Sequence, residues 1–216
     1  MRNRFDLVVF DWDGTLFDSI GWIVECLQRA AYDCGLAVPT EREAKAVIGL
    51  GLNEAMEALF PGYPPATALR LAESYRGFYG GRATGPDSLF SGVAEMLAEL
   101  KECGYRLAVA TGKTRSGLNH ALDLTRTEKL FHATRCADET ASKPSPQMLF
   151  QLMYELEVDA EKTLMVGDSL HDLRMAQNAG VAAIAVGCGA NDRVELARLC
   201  PFACIERTTD LLEFLR

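Results

Sequence analysis

Short apolar runs recur along the chain, each beside a stretch whose apolar residues return at helical spacing. Residues 5–10 form the first run, and 106–110, 163–166 and 182–186 repeat it. Near-continuous runs of this length suit strands buried on both faces, as in parallel sheets. A helix is predicted over 93–103, with Val93, Met96, Leu97 and Leu100 on one side and Gly104 as its stop. Further helices are predicted over 146–156, over 170–179 with Gly180 at the end, and over 191–199. Residues 202–205 read as a last edge strand and 210–215 as a short final helix. Strands alternating with helices predict a three-layer, Rossmann-like α/β domain around a parallel sheet. Ligands of such sheets lie beyond the C-terminal ends of the strands.

From 18 to 85 the rhythm changes. Helices are predicted over 20–34, 40–47, 53–60 and 66–79, the last two separated by the turn Pro61-Gly62-Tyr63-Pro64-Pro65. Thr40 followed by Glu43 is a capping signature for the second of them. No strand is evident. The expectation is an α-helical domain over 18–85 inserted into a core made of 1–17 and 86–216. The second crossing, over 80–87, holds hinge-compatible residues from Gly80 through Arg82 to Pro86.

Composition narrows the class. With 216 residues and 49% apolar residues the chain can bury a full core. A net charge of −8 without a block of Lys and Arg disfavours nucleic acid as a partner. Asp6, Asp11 and Asp13 interrupt the first apolar run, so no secretory signal is expected, and nothing approaches the roughly 20 apolar residues of a membrane span. Seven cysteines without a CxxC pair read as reduced thiols of a cytoplasmic protein.

The segments leaving the predicted strands carry the chemistry. Asp11-Trp12-Asp13-Gly14-Thr15 follows the first, Thr111-Gly112-Lys113 the second, and Gly167-Asp168-Ser169 with Asp172 the third, while Ser142-Lys143-Pro144 precedes a helix. In a parallel sheet these would converge at one edge, gathering Asp11, Asp13, Asp168 and Asp172 with Lys143 and Thr111. Four carboxylates cannot share a cleft unneutralised, and oxygen-only donors favour a hard ion such as magnesium. Magnesium in turn suits a phosphate group. One of the paired carboxylates, Asp11 or Asp13, could attack phosphorus while the other exchanges protons with the leaving oxygen and with water. Thr111 and the Gly112 amide could hold the transferring oxygens, and Lys143 could offset their charge.

These residues resemble the four motifs of the haloacid dehalogenase superfamily. Asp11-Trp12-Asp13-Gly14-Thr15-Leu16 is similar to the first, Thr111-Gly112 to the second, Lys143-Pro144 to the third, and Gly167-Asp168-Ser169 with Asp172 to the fourth. The helical insertion after the first motif resembles the cap of the phosphoglycolate phosphatase-like branch, as do Asp18-Ser19 and Thr111-Gly112-Lys113. The resemblance implies a magnesium-dependent phosphatase acting on a small phosphorylated metabolite, phosphoglycolate first, through an aspartyl-phosphate. It makes Asp11 the nucleophile and a metal ligand, and Asp13 the acid/base with its backbone carbonyl on the metal. Asp168 becomes a further ligand and Asp172 a support behind the metal. Thr111 and Gly112 would bind phosphate, and Lys143 would orient Asp11. Gly49, Leu50 and Gly51 form a candidate specificity loop in the cap. Arg42, Lys45, Arg70, Arg76 and Arg82 could meet a substrate carboxylate, although isolated cap cations are more often solvated.

Two departures stand out: Trp12 replaces a commoner aliphatic residue, and Gly112 replaces an asparagine. A phosphosugar mutase of the β-phosphoglucomutase type, a pyrophosphatase or nucleotidase, and a non-catalytic binding protein on the same scaffold remain open. Asp13 disfavours a haloacid dehalogenase proper and a phosphonate hydrolase. The expected protein is a monomer or homodimer bound to neither nucleic acid nor membrane.

Overall fold

The computed structural model describes residues 4–81 and 84–215. Arg82, one of the candidate cations, lies outside the described residues. Six parallel strands form one sheet: β1 (Leu7–Phe10), β2 (Arg106–Thr111), β3 (Ala133–Cys136), β4 (Thr163–Gly167), β5 (Ala182–Val186) and β6 (Ala203–Ile205). Their order is β3-β2-β1-β4-β5-β6. The chain therefore builds outward from β1 on one side, returns, and builds outward again from β4. β1 and β4 pair in register from Leu7 against Thr163 to Phe10 against Val166.

The two-sided burial inferred from the apolar runs is visible residue by residue. Val8 and Phe10 face one layer together with Leu107, Val109, Leu164 and Val166. Leu7 and Val9 face the other with Ala108, Ala110 and Met165. The first layer is closed by α5 (Val93–Glu102), α6 (Arg115–Thr125) and α10 (Leu211–Leu215). The second is closed by α7 (Gln147–Glu155), α8 (Leu170–Ala179) and α9 (Arg193–Ala197). This is the three-layer Rossmann-like arrangement.

Four helices stand between β1 and α5: α1 (Ile20–Asp33), α2 (Glu41–Ala46), α3 (Leu52–Leu59) and α4 (Pro65–Tyr79). They share a core of their own, with Ile23, Leu27, Ala30, Ala44, Met56 and Leu71. Thr40 and Glu43 complete the expected capping box on α2, each side chain satisfying the other's backbone amide.

Two elements escaped the sequence reading. β3 has four residues, with Thr134 and Arg135 only half-buried at the sheet edge, so it lacks an apolar run. α6 buries Leu118, Ala121 and Leu122 but carries Gly117 and a largely polar outer face, which dilutes its periodicity. At the other end, α9 is shorter than the predicted 191–199, because Asp192 caps it and starts the helix only at Arg193. No helix among the described residues is long and apolar enough to cross a membrane.

Candidate active site

β1 and β4 are adjacent, so their C-terminal ends deliver Asp11 and Asp168 to one place, the switch point where the order of strands reverses. The turn after Gly167 adds Asp172 from the first turn of α8. Ligand oxygens of Asp11, Asp168 and Asp172 lie within 4.8 Å of one another, and all three residues are buried. The Lys143 ammonium sits in their midst, 2.6 Å from Asp11 Oδ1 and 2.6 Å from Asp172 Oδ1. Lys143 is itself only 2% exposed, so it cannot be a solvated surface lysine.

Asp168 and Asp172 are held by donors from the surrounding turns. Thr15 Oγ1 donates to Asp168 Oδ1 at 2.7 Å, and the Ala190 amide donates to Asp168 Oδ2 at 2.7 Å. Ser169 donates to Asp172 Oδ2 from its amide at 3.0 Å and from its hydroxyl at 2.6 Å. Glycines make room for this packing: a Cβ on Gly189 would stand 2.0 Å from Asp168 Oδ2, and one on Gly167 would stand 2.4 Å from the Asp172 side chain.

Asp13 faces the other way. Its Oδ1 accepts from Ser19 Oγ at 2.6 Å and its Oδ2 lies 3.1 Å from Lys113 Nζ. Ser19 stands at the N-terminus of α1 yet makes no side-chain capping bond there, because its hydroxyl is committed to Asp13. Lys113 Nζ also donates to the Tyr79 hydroxyl at 2.8 Å, tying the end of α4 to the sheet edge.

The charges explain the titration behaviour. Burial pushes the Asp11 carboxyl well above the usual carboxylate range, against the pull of Lys143. Burial, reinforced by Asp172, raises Asp168 from 3.8 to about 7. Burial alone would lower Lys143, but Asp11 and Asp172 outweigh it and hold the ammonium above its usual value. Asp13 and Tyr79 do the same for Lys113. Three carboxylates around one ammonium leave two negative charges in a buried space. A divalent cation matches that excess, and an all-oxygen donor set suits a hard one. The residues present therefore fit a magnesium ion.

Thr111 ends β2, buried, and its hydroxyl accepts the Lys113 amide at 3.2 Å, which shapes the following turn. Gly112 touches the candidate specificity loop: a Cβ there would lie 2.3 Å from the Leu50 carbonyl oxygen and 2.8 Å from that of Gly49. The same loop is fastened by the Gly51 amide donating to Ser142 Oγ at 2.7 Å and by His171 Nε2 at 2.9 Å from the Ala46 carbonyl. Gly49, Leu50, Asp11, Asp13 and Gly112 all line one cavity of about 480 Å³ between the helical unit and the sheet edge. Trp12 points away from it, fully buried and stacked on Phe17 with ring centres 5.9 Å apart.

Of the candidate cations, Arg42 reaches Glu195 at 4.0 Å, Lys45 pairs with Glu41 at 2.6 Å, and Arg70 donates to the Cys34 carbonyl at 2.7 Å. Arg76 alone among these four lines the cavity, at an exposed position. Sequence reasoning quoted Thr15, Ser19, Lys113, Ser142 and Ser169 within the motifs without a role of their own, and passed over Tyr79. Thr15, Ser19, Ser169 and Lys113 lie inside or beside the motifs, so their position was a usable signal. Tyr79 carries none, since only the docking of α4 brings it to Lys113.

Residues 8–186 match the haloacid dehalogenase-like hydrolase family. The chain belongs to that family. It is 34% identical over 210 residues to the probable phosphatase IndB of Dickeya dadantii, covering 95% of this chain and 91% of that one. It is 28% identical to the pyrophosphatase PpaX of Anoxybacillus flavithermus, covering 98% and 97% of the two chains. It is 30% identical to the phosphoglycolate phosphatase of Agrobacterium fabrum, covering 95% and 90%. The relatives of this haloacid dehalogenase-like hydrolase thus share chemistry on phosphate while differing in what carries the phosphate.

Proposed function

We propose that the chain is a magnesium-dependent phosphatase that cleaves small phosphomonoesters through an aspartyl-phosphate on Asp11. The observation that carries this reading is the buried trio Asp11, Asp168 and Asp172 with a single ammonium, Lys143, at the switch point of the sheet. Asp11, Asp168 and the backbone carbonyl of Asp13 would hold magnesium, with Asp172 behind them. The ion would offset the charge of the phosphate oxygens and orient them.

In this mechanism an Asp11 carboxylate oxygen attacks phosphorus as the bond to the leaving oxygen breaks. Lys143, bonded to Asp11 Oδ1, aims the carboxylate and favours its ionised form against the burial that opposes it. Asp13 gives its proton to the leaving alkoxide, then takes one from the water that attacks the aspartyl-phosphate. Free phosphate and the original Asp11 carboxylate result. Ser19 and Lys113 hold the Asp13 carboxyl in place for both transfers. Thr111 accepts the Lys113 amide and so shapes the turn that would present the Gly112 amide toward the phosphate. Residues 18–85 act as a cap over a core of 1–17 and 86–216, and the loop from Gly49 to Gly51 closes the site against water.

Phosphoglycolate and pyrophosphate, the substrates in the names of two relatives, are the first compounds to assay. The test is magnesium-dependent release of phosphate. Asp11→Asn is expected to lower turnover by at least about 10³-fold, as loss of a nucleophile does. Turnover by that variant near the wild-type rate would remove Asp11 from the role. Interconversion of sugar phosphates without free phosphate would instead indicate a mutase.

A further inference from the structure

The cavity over Asp11 and Asp13 has two unlike walls. Toward the sheet edge it is polar, lined by Asp11, Asp13, Thr114, Ser116 and His120. On the helical side it is largely apolar, formed by Ile23, Leu27, Val47, Leu52 and Ala55 together with Tyr75, Arg76 and Tyr79 of α4. At about 480 Å³ it falls within the range of sites that enclose drug-sized ligands. A phosphate with a two-carbon acid would occupy only the polar end.

The cations tell the same story. Among the described residues lining the cavity the lysine and arginine side chains are Lys113 and Arg76. The Lys113 ammonium is already engaged by Asp13 at 3.1 Å and by the Tyr79 hydroxyl at 2.8 Å. Arg76 is exposed. A second carboxylate carried between Ile23, Leu27, Leu52 and Ala55 would meet aliphatic side chains in place of a cationic partner, which costs several kcal/mol of desolvation with little return.

Resting on the phosphatase reading, we infer that the substrate is the phosphomonoester of an alcohol with an uncharged, apolar body of ring size. The phosphate lies toward Asp11, and the body fills the space between α1, α3 and α4. Leu52 and Ala55, on the first turns of α3, set the preference. Phosphoglycolate then becomes a poor substrate of this chain despite the relative that bears its name.

Primary-alcohol esters of matched leaving-group reactivity test this: ethyl phosphate, butyl phosphate, cyclohexylmethyl phosphate and phosphoglycolate, with magnesium and the full chain. The expected kcat/KM rises along the first three, and cyclohexylmethyl phosphate exceeds phosphoglycolate by at least about 10-fold, as burial of one apolar ring implies. Leu52→Asn is expected to cut the ratio of cyclohexylmethyl to ethyl phosphate at least about fivefold, and Ala55→Phe to do the same by filling the space. Thermal melts establish that each variant is folded, and the wild-type series decides the question even if neither is. A preference for phosphoglycolate or ethyl phosphate overturns the inference and leaves the phosphatase standing. An unchanged ratio in both folded variants overturns the placement. Phosphate release from none of the esters, nor from pyrophosphate, overturns the phosphatase reading and the inference with it.

Discussion

At the scale of single residues, charge decides what each position tolerates. Lys143 is the one ammonium bonded to both Asp11 and Asp172, so Lys143→Met would leave buried carboxylates facing one another. We expect a loss of about 3–5 kcal/mol in magnesium-free protein, partly recovered on adding magnesium, read from melts with and without the ion. Gly112 illustrates steric control. The asparagine common in the family cannot stand here while the Leu50 carbonyl lies 2.3 Å from where its Cβ would be. Gly112→Asn should therefore push the loop over 49–51 away, raising KM and speeding amide exchange there. Unchanged exchange would show that the loop accommodates the side chain. The departure from the family pattern was legible in the sequence, but its consequence was not, because the touching loop lies some 60 residues away in the chain.

At the scale of elements, most of the architecture follows from local pattern. The strands β1, β2, β4 and β5 are runs buried on both faces, so their apolar residues need no alternation. The capping box of α2 was readable from Thr40 and Glu43. Thr40→Ala should cost about 1 kcal/mol, measurable as a lower melting temperature. α1 departs from this economy: its first side chain, Ser19, serves Asp13 and leaves the helix amides without that cap. β3 and α6 were missed because half of β3 lies at a polar edge and the outer face of α6 is solvated. Their burial comes from neighbours, which composition alone does not reveal.

For the whole molecule, the site couples proton, metal and fold. Folding raises Asp168 from 3.8 to about 7, so the stability tied to its protonated form is complete below about pH 4. It is lost as pH climbs through about 7. Under the proposed function, magnesium would compete with protons for the same carboxylates and relieve their repulsion once they ionise. The rise in melting temperature on adding magnesium should therefore be larger at pH 8 than at pH 5. Saturation at about 100 times the dissociation constant would contribute about 2.7 kcal/mol. An equal rise at both pH values would show that the ion does not bind at these carboxylates.

The order of apolar and polar positions sufficed for the α/β class and for the run of helices over 18–85, and short motifs pointed to Asp11, Asp13, Lys143, Asp168 and Asp172 as candidates but gave Lys113 no role. These depend on periodicity and on short motifs, which are properties of neighbours in the chain. Tertiary structure alone decided that Asp11 and Asp172 share one ammonium with Asp168 beside them, that Asp13 turns instead to Ser19 and Lys113, and that Tyr79 joins them. It also decided which apolar side chains of the insertion line the cavity and which merely fill its core. The physical reason is that distances between charges, and the space left between packed helices, arise only when strands 156 residues apart in sequence lie side by side.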